Sequence, residues 1–314
     1  MDARITGIDP SGSSLDRIAR CPASAALPQV FDAGPSAARD RGTAIHAFFE
    51  RVGELGRETA LAEVDEKWRP ICEGVELATL PVKLSAEVAV AYNWKADTAR
   101  RLQPLEPRLY EIDPNCEIPL TLDVVGVAER SVYVGDYKGP YAWLPEPEQS
   151  MQLGVGALAI ARIHDASHAR VEYMRVRDDG TVRRFDASLD VFALEAAAER
   201  VQRTMAIVGE AREAIAAGVT PNVTEGPWCR FCPARQHCPA KTALIRAAAA
   251  QPAPISLREP LTPATAGQVY VQLKRWKEAF AMVEGALYAY AKDTAIPVGV
   301  EEDGTEVWFG EFTR

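Results

Sequence analysis

A short acidic hairpin constrains this chain more than any other feature. The runs Leu122-Asp123-Val124-Val125-Gly126 and Val134-Gly135-Asp136-Tyr137-Lys138-Gly139 predict adjacent strands, joined through Glu129-Arg130-Ser131. Antiparallel pairing brings Asp123 and Asp136 close enough to share a metal ion. Lys138 lies two residues after Asp136, so both side chains point to one face of the sheet. Taken alone, the pair also fits a surface salt bridge on an exposed hairpin.

The chemistry of the hairpin suggests a metal site. Carboxylate oxygens are hard ligands, which suit Mg²⁺ or Mn²⁺. A lysine beside them can orient a water molecule or stabilise charge on a phosphate under attack.

Hydrophobic periodicity around the hairpin predicts an α/β protein with a mixed sheet. Before it we expect a short helix ending at Cys21-Pro22, with Ser13 to Asp16 resembling a capping box, then a helix from Ser36 to about Leu55 and a strand from Leu84 to Tyr92. After it we expect helices over Gln149 to Ile163 and Val191 to Ala217, strands over Ala169 to Val176 and Thr181 to Phe185, and a long final helix starting at Thr262-Pro263.

Composition excludes several classes of protein. With 47% hydrophobic and 25% charged residues, the 314-residue chain is not wholly disordered. No apolar run reaches about 18 residues, so we expect no membrane helix. The N-terminus lacks the apolar segment of a signal peptide, which leaves a cytoplasmic location as the default. A net charge of −9 argues against a general positive coat for nucleic acid but leaves room for local contacts.

Three cysteines form a compact group, Cys229, Cys232 and Cys238, in the pattern C-x2-C-x5-C. Three thiols in ten residues suggest metal ligands that need a fourth, and Cys21, also followed by proline, is the obvious candidate. Four thiolates suit either Zn²⁺ or a [4Fe–4S] cluster, and spacing alone does not decide. Reduced thiols without metal are the plain alternative. Cys72 and Cys116 show no ligand spacing.

In its motifs and their order, the chain resembles the PD-(D/E)xK nuclease superfamily, in its RecB-like branch. The motifs are Ser13-Ser14 to Cys21-Pro22, Gly42-Thr43-Ala44-Ile45-His46, Glu87, Asp123, Asp136-Tyr137-Lys138 and Gln152, within roughly residues 11 to 240. The resemblance implies a restriction-endonuclease-like core, in which a central mixed β-sheet is flanked by helices, with a cysteine-cluster staple and a C-terminal long helix.

The resemblance also implies roles for individual residues. Asp123 and Asp136 would be the main Mg²⁺ or Mn²⁺ ligands, joined by the His46 imidazole and the backbone carbonyl of Tyr137. Lys138 would position or activate the attacking water. Gln152 would face the site from the following helix, and Glu87 would be a catalytic residue or a supporting partner. Cys21, Cys229, Cys232 and Cys238 would hold a [4Fe–4S] cluster, with zinc as the alternative.

Two positions depart from the family pattern. The family often carries Gln-x-x-x-Tyr, but the residue four after Gln152 is Gly156. Leu122 stands where the superfamily's name has proline, a loss that is common in this branch.

A nuclease of this kind needs phosphate contacts. Arg17 and Arg41 near the expected entrance are candidates, although any one arginine is more often a solvated surface charge. Trp143 and Tyr141 in the Pro-rich loop are candidates for base stacking, or they form a hydrophobic lid.

We therefore expect residues 1–246 to form the nuclease domain, including the cysteine segment 229–238, followed by a linker over 247–260 and a C-terminal helical extension over 261–314. The expected function is a metal-dependent exonuclease acting on DNA, single-stranded or at duplex ends, in recombination, repair or phage DNA processing, with a recombination or helicase partner. The alternatives are a catalytically inactive DNA-binding or assembly subunit and a zinc-stabilised protein of unrelated function.

Overall fold

The computed structural model describes residues 4–5, 10–29, 37–75, 84–103, 110–140, 142–243, 262–291, 296–300 and 306–309. Tyr141 and the expected linker over 247–260 lie outside these residues. None of the described helices is long and apolar enough to cross a membrane.

Groups of helices and groups of strands follow one another along the chain. The helices are α1 (Leu15–Arg20), α2 (Ala37–Leu55), α3 (Arg57–Glu63), α4 (Arg69–Gly74), α5 (Met151–His164), α6 (Val191–Ala216) and α7 (Pro263–Ala291). The strands are β1 (Arg4–Ile5), β2 (Leu84–Asn93), β3 (Thr98–Arg101), β4 (Glu111–Ile112), β5 (Glu117–Val127), β6 (Ser131–Lys138), β7 (His168–Val176), β8 (Val182–Leu189), β9 (Ile296–Val300) and β10 (Glu306–Phe309).

Six strands form the central sheet in the order β3-β2-β5-β6-β7-β8. Only β6 and β7 pair in parallel within it, and α5 makes the crossover between them. The other neighbours are antiparallel. This is the α/β architecture with a helix-flanked mixed sheet that the sequence predicts.

Each face of the sheet has its own hydrophobic core. The first core joins the sheet to α1, α5 and α6 through residues such as Leu122, Val134 and Leu158. The second joins the opposite face to α2, α3 and α4 through residues such as Phe49 and Tyr137. The sheet is therefore covered on both sides, and its polar side chains stand out as exceptions.

The periodic elements begin and end within a few residues of their predicted bounds. The strand β3 and the helices α3 and α4 were not predicted, because they are short. The C-terminal extension is not helical throughout, since β9 and β10 form an antiparallel pair after α7.

The alternation of side chains between the two cores inverts at one point in β2 and β5. Leu122 and Val88 pack in the first core, whereas Val124 and Leu84 pack in the second. Between the pairs Ala86–Val124 and Val88–Leu122, Glu87 and Asp123 lie opposite each other without joining the paired register. Glu87 has φ +47°, a left-handed backbone conformation that costs about 1–3 kcal/mol for a non-glycine residue.

Candidate metal centre and active site

Three potential metal ligands meet where the alternation inverts. His46 on α2, Glu87 on β2 and Asp123 on β5 each offer a ligand atom, and these atoms lie within 4.8 Å of one another. His46 Nδ1 is 3.3 Å from Asp123 Oδ1 and 3.7 Å from Glu87 Oε1. In an octahedral Mg²⁺ site, bonds of about 2.1 Å place neighbouring ligands about 3 Å apart and opposite ones about 4.2 Å apart. Small side-chain shifts therefore bring this group to metal-binding geometry.

The His46 ring supports the same interpretation. Its Nδ1 atom is buried and lies near the carboxylates of Asp123 and Glu87 without a hydrogen bond of regular geometry. Burial by itself would lower the pKa of His46, but the neighbouring carboxylates of Asp123, Glu87 and Asp136 raise the pKa to about 10. The carboxylates of Asp123 and Glu87 thus stabilise positive charge beside the His46 ring, as a site for a divalent cation does.

A second group of polar side chains lies on the α5 face of the sheet. Lys138 Nζ is 2.8 Å from Asp136 Oδ2 and donates a hydrogen bond to Gln152 Oε1 at 3.1 Å. Gln152 Nε2 donates to Asp136 Oδ1 at 2.8 Å. The three side chains form a closed ring, in which the amide of Gln152 holds both the Asp136 carboxylate and the Lys138 ammonium group.

The ionisation of this second group follows from burial and charge. Burial raises the pKa of Asp136, with Lys138 opposing the shift and Asp123 adding to it. Burial by itself would lower the pKa of Lys138, but the charges of Asp136 and Asp123 raise it overall. Lys138 is therefore an ammonium ion in this arrangement and a hydrogen-bond donor.

The β5–β6 ladder opens beside the two groups. Regular pairing ends at Val124–Gly135, and the buried N–H of Tyr137 donates instead to Asp123 Oδ2 at 2.7 Å. On the opposite face, the Tyr137 ring stacks on Phe49 of α2 with ring centroids 3.5 Å apart. Asp123 Oδ2 thus takes the place of a backbone carbonyl as the acceptor for the Tyr137 N–H. Asp123 Oδ1 faces His46.

Asp16 on α1 fixes the start of α5 and was not predicted as a site residue. Its carboxylate accepts hydrogen bonds from the backbone N–H groups of Met151 at 2.6 Å and Gln152 at 3.2 Å. It also accepts from the hydroxyl groups of Ser150 and Tyr173. Asp16 is therefore not the end of a capping box on its own helix. The capping box there joins Ser11 and Ser14.

Gly156 lies at the closest approach of α5 to the sheet. A Cβ atom at this position would be 2.8 Å from Leu122 Cδ2 and 3.5 Å from Val134 Cγ1. A tyrosine here would displace Leu122, so the Gln-x-x-x-Tyr pattern does not fit this close packing of α5 on the sheet.

A cavity of about 740 Å³ begins at Lys138 and Gln152. Its walls carry cationic and aromatic side chains, namely Arg17, Trp143, Trp228, Arg230, Phe231, Arg235 and Lys241. The rings of Trp143 and Trp228 meet edge to face with centroids 5.4 Å apart. The cavity also receives Asp16 from α1 and Glu278 from α7.

Two of the four predicted DNA contacts, Arg17 and Trp143, line this cavity. Arg41 does not, because its buried guanidinium donates to the carbonyls of Val176 and Arg177 and pairs with Asp178. Tyr141 lies outside the described residues.

Comparison with known proteins identifies the family. The family model of the PD-(D/E)XK nuclease superfamily matches residues 10–239, which is most of the chain. The chain belongs to the PD-(D/E)XK nuclease superfamily. The group of His46, Glu87 and Asp123 could hold the divalent metal ion that nucleases of this superfamily usually use.

Further comparisons add little to the family assignment. None of the curated proteins matches the chain significantly. A solved structure titled "Crystal structure of SSO0001" is 15% identical, with a TM-score of 0.27, and the alignment covers 50% of this chain and 60% of that one. This chain therefore spans less than two thirds of that protein, and so weak a likeness carries no argument about fold or function.

Within this superfamily member, the chain brings its four proposed cluster cysteines to one region. Cys21 ends α1 and accepts a hydrogen bond from the Thr224 N–H at 3.5 Å. Burial raises the pKa of Cys229, and the neighbouring Cys21 and Cys238 raise it further, while Gly226 and Lys241 oppose the shift. Among the described residues, no three of these thiols lie within 4.8 Å of one another.

The two other cysteines lie away from this region. Cys72 is buried in the second core, and Cys116 contacts Asn93 and Asp113.

The structure brings six predicted site residues into two neighbouring groups. Glu87, expected to be a catalytic residue or a supporting partner, lies in the group with His46 and Asp123, whereas Asp136 is held by Lys138 and Gln152. Asp16 was missed because its partners lie more than 130 residues away in the chain. The one local signal was an acidic residue near the start of a short helix, which is a common feature.

Proposed function

We propose that the protein is a Mg²⁺- or Mn²⁺-dependent deoxyribonuclease that removes nucleotides from DNA ends. One observation carries the proposal: a lysine ammonium, held by a buried carboxylate and an amide, opens into a cationic and aromatic cavity beside a three-ligand group. A surface salt bridge would have no reason to combine burial, three ligands and a cavity of this size.

His46, Glu87 and Asp123 would hold the metal ion, with Asp136 and the Tyr137 carbonyl completing the site as the family pattern implies. The orphaned Nδ1 of His46 and the two facing carboxylates fit a hard divalent cation. A bound ion would lower the pKa of a water ligand and neutralise charge on the scissile phosphate.

Lys138 acts in this proposal as a donor. Although burial by itself would lower its pKa, the charges of Asp136 and Asp123 raise it, so Lys138 carries its proton in this arrangement. Its ammonium group would orient the attacking water and stabilise negative charge that develops on the phosphate. Gln152 keeps Lys138 and Asp136 in place by bonding to both.

The cavity favours single strands and strand ends as substrates. Its volume of about 740 Å³ is in the range of ligand pockets, which suits a strand end better than an intact duplex. Trp143, Trp228 and Phe231 offer ring faces for base stacking, and Arg17 and Arg230 offer charge for phosphates. The family resemblance supports a role in recombination, repair or phage DNA processing, with a recombination or helicase partner.

We also propose that Cys21, Cys229, Cys232 and Cys238 hold a [4Fe–4S] cluster. The cysteine pattern, one residue near the N-terminus and three within ten residues near position 230, is the arrangement that the family resemblance associates with an iron–sulfur cluster. Zinc bound by the same four thiolates is the alternative.

End-labelled single-stranded DNA, double-stranded DNA and single-stranded RNA test the proposal, each with Mg²⁺ and with Mn²⁺. We expect stepwise shortening of single-stranded DNA, and we expect Asp136→Asn and Lys138→Ala to reduce the rate at least about 100-fold. Asp123→Asn should also weaken Mn²⁺ binding, measured by titration calorimetry. Asp186→Asn on the exposed face of β8 is the control and should behave as wild type.

Equal cleavage by wild type and all site variants would reject the assignment. DNA binding without cleavage under either metal would instead select the inactive DNA-binding subunit. Internal cuts in circular DNA would reject the exonuclease while leaving the nuclease intact.

A further inference from the structure

The helix α7 is apolar on two opposite faces. One face buries Ala279 and Met282, and next to them the Glu278 carbonyl accepts a hydrogen bond from Arg235 of the cysteine segment. Glu278 on this face receives Lys241 Nζ at 2.6 Å, and Lys241 also contacts Glu225 at 2.8 Å. This buried ammonium fixes α7 to the nuclease, so the opposite face is held outward.

The outward face carries a regular apolar stripe. Its members are Val269, Leu273, Trp276, Phe280, Val283 and Leu287, spaced alternately by four and three residues. Alternating spacings of four and three residues are those of the two core positions of a coiled-coil heptad. In the structure Phe280 is 72% exposed, and Leu273, Val283 and Leu287 are each at least 40% exposed.

We propose that the stripe pairs with the stripe of a second copy of this chain, in an antiparallel two-helix coiled coil. Charge decides both the partner and the direction. The exposed residues Lys277 and Glu284 are one heptad apart and occupy the same position beside the apolar stripe. An antiparallel copy places each Lys277 beside Glu284 of the other chain, which gives two opposite-charge pairs.

The apolar layers agree with this arrangement. When the two helices run antiparallel about a centre between residues 281 and 282, Phe280 faces Val283 of the second copy and Trp276 faces Leu287. Each layer then combines a large ring with an aliphatic side chain. A parallel pair would instead place Phe280 on Phe280 and leave Lys277 and Glu284 opposite Gln272 and Ala279, without a charge pair.

Sedimentation equilibrium on the full-length protein tests the inference. We expect a dimer for wild type and a monomer for the double variant Phe280→Glu, Leu287→Glu, with unchanged circular dichroism. Lys277→Glu and Glu284→Lys should each weaken the dimer at least about tenfold in Kd. An equimolar mixture of these two variants should dimerise as well as wild type. In the mixed dimer, each of the two charge pairs again joins a glutamate of one chain to a lysine of the other.

Lys274→Glu is the control, since it makes the same charge change on α7 outside the stripe, and it should leave the dimer intact. A wild-type monomer at all concentrations would overturn the proposal. A dimer that is insensitive to both charge variants would overturn the antiparallel arrangement. None of these residues lines the catalytic cavity, so nuclease activity per chain reports separately on the proposed function.

Discussion

At the scale of single residues, three aspartates differ in function because their neighbours differ. Asp123 accepts the Tyr137 N–H and faces His46, and Asp136 is held between Lys138 and Gln152. Asp16 faces the N-terminus of a helix. Sequence spacing predicts the first two, because neighbouring strands position them. It does not predict Asp16, whose function depends on how α1 packs against α5.

Asp16→Ala should lower both stability and turnover. The backbone N–H groups of Met151 and Gln152 and the Tyr173 hydroxyl lose an acceptor, which should cost about 1–3 kcal/mol in the free energy of unfolding. Because Gln152 then loses its fixed position, kcat should fall several-fold with little change in KM. Urea unfolding and steady-state nuclease assays measure the two effects.

The matched control is Asp190→Ala, which removes the N-cap of α6 far from the site. It should cost about 0.5–2 kcal/mol in stability without changing kcat. Asp16 would be merely structural if both variants kept full kcat.

At the scale of elements, the approach of α5 to the sheet determines what the active site can contain. A Cβ at position 156 would meet Leu122, the residue directly before the proposed metal ligand Asp123. The sequence predicts α5 and small residues on its inner face. It does not predict that the family's tyrosine is excluded by volume, because that requires the distance between two layers.

Gly156→Ala and Gly154→Ala form a matched pair on this helix. Both gain about 1 kcal/mol of helix propensity. A Cβ at position 154 meets only ordinary contacts at 3.4 Å or more, whereas a Cβ at position 156 lies 2.8 Å from Leu122. We therefore expect Gly156→Ala to be less stable than Gly154→Ala by about 1–3 kcal/mol. Thermal unfolding compares the pair, and equal stabilities would contradict the close packing described above.

At the scale of the whole molecule, Cys21 and the segment from Cys229 to Cys238 bring distant parts of the chain together. The entire six-stranded sheet lies between them in sequence. The proline after Cys21 and the compact C-x2-C-x5-C pattern make the four residues predictable as a group. The identity of the metal is not predictable from that pattern, since zinc and iron–sulfur clusters accept the same thiolates.

Cys229→Ser should release the proposed cluster. We expect anaerobically purified wild type to be brown and to contain about four iron atoms per chain. The variant should lose most of the iron and unfold at a lower temperature. Cys116→Ser, a half-buried thiol away from the group, is the control and should keep both. Zinc in place of iron would select the alternative metal, and absence of both metals would contradict a metal centre.

At Glu87 and Asp123 the alternation of side chains between the two faces of the sheet shifts by one residue. Deletion of Glu87 alone would restore strict alternation along β2, because Ala86 and Val88 would then point to opposite faces as neighbours should. Asp123 would remain as a single bulged residue, and one of the three proposed metal ligands would be gone. A regular β2 strand would therefore lack the Glu87 carboxylate. The left-handed backbone at Glu87 and the three-ligand group come together in this chain.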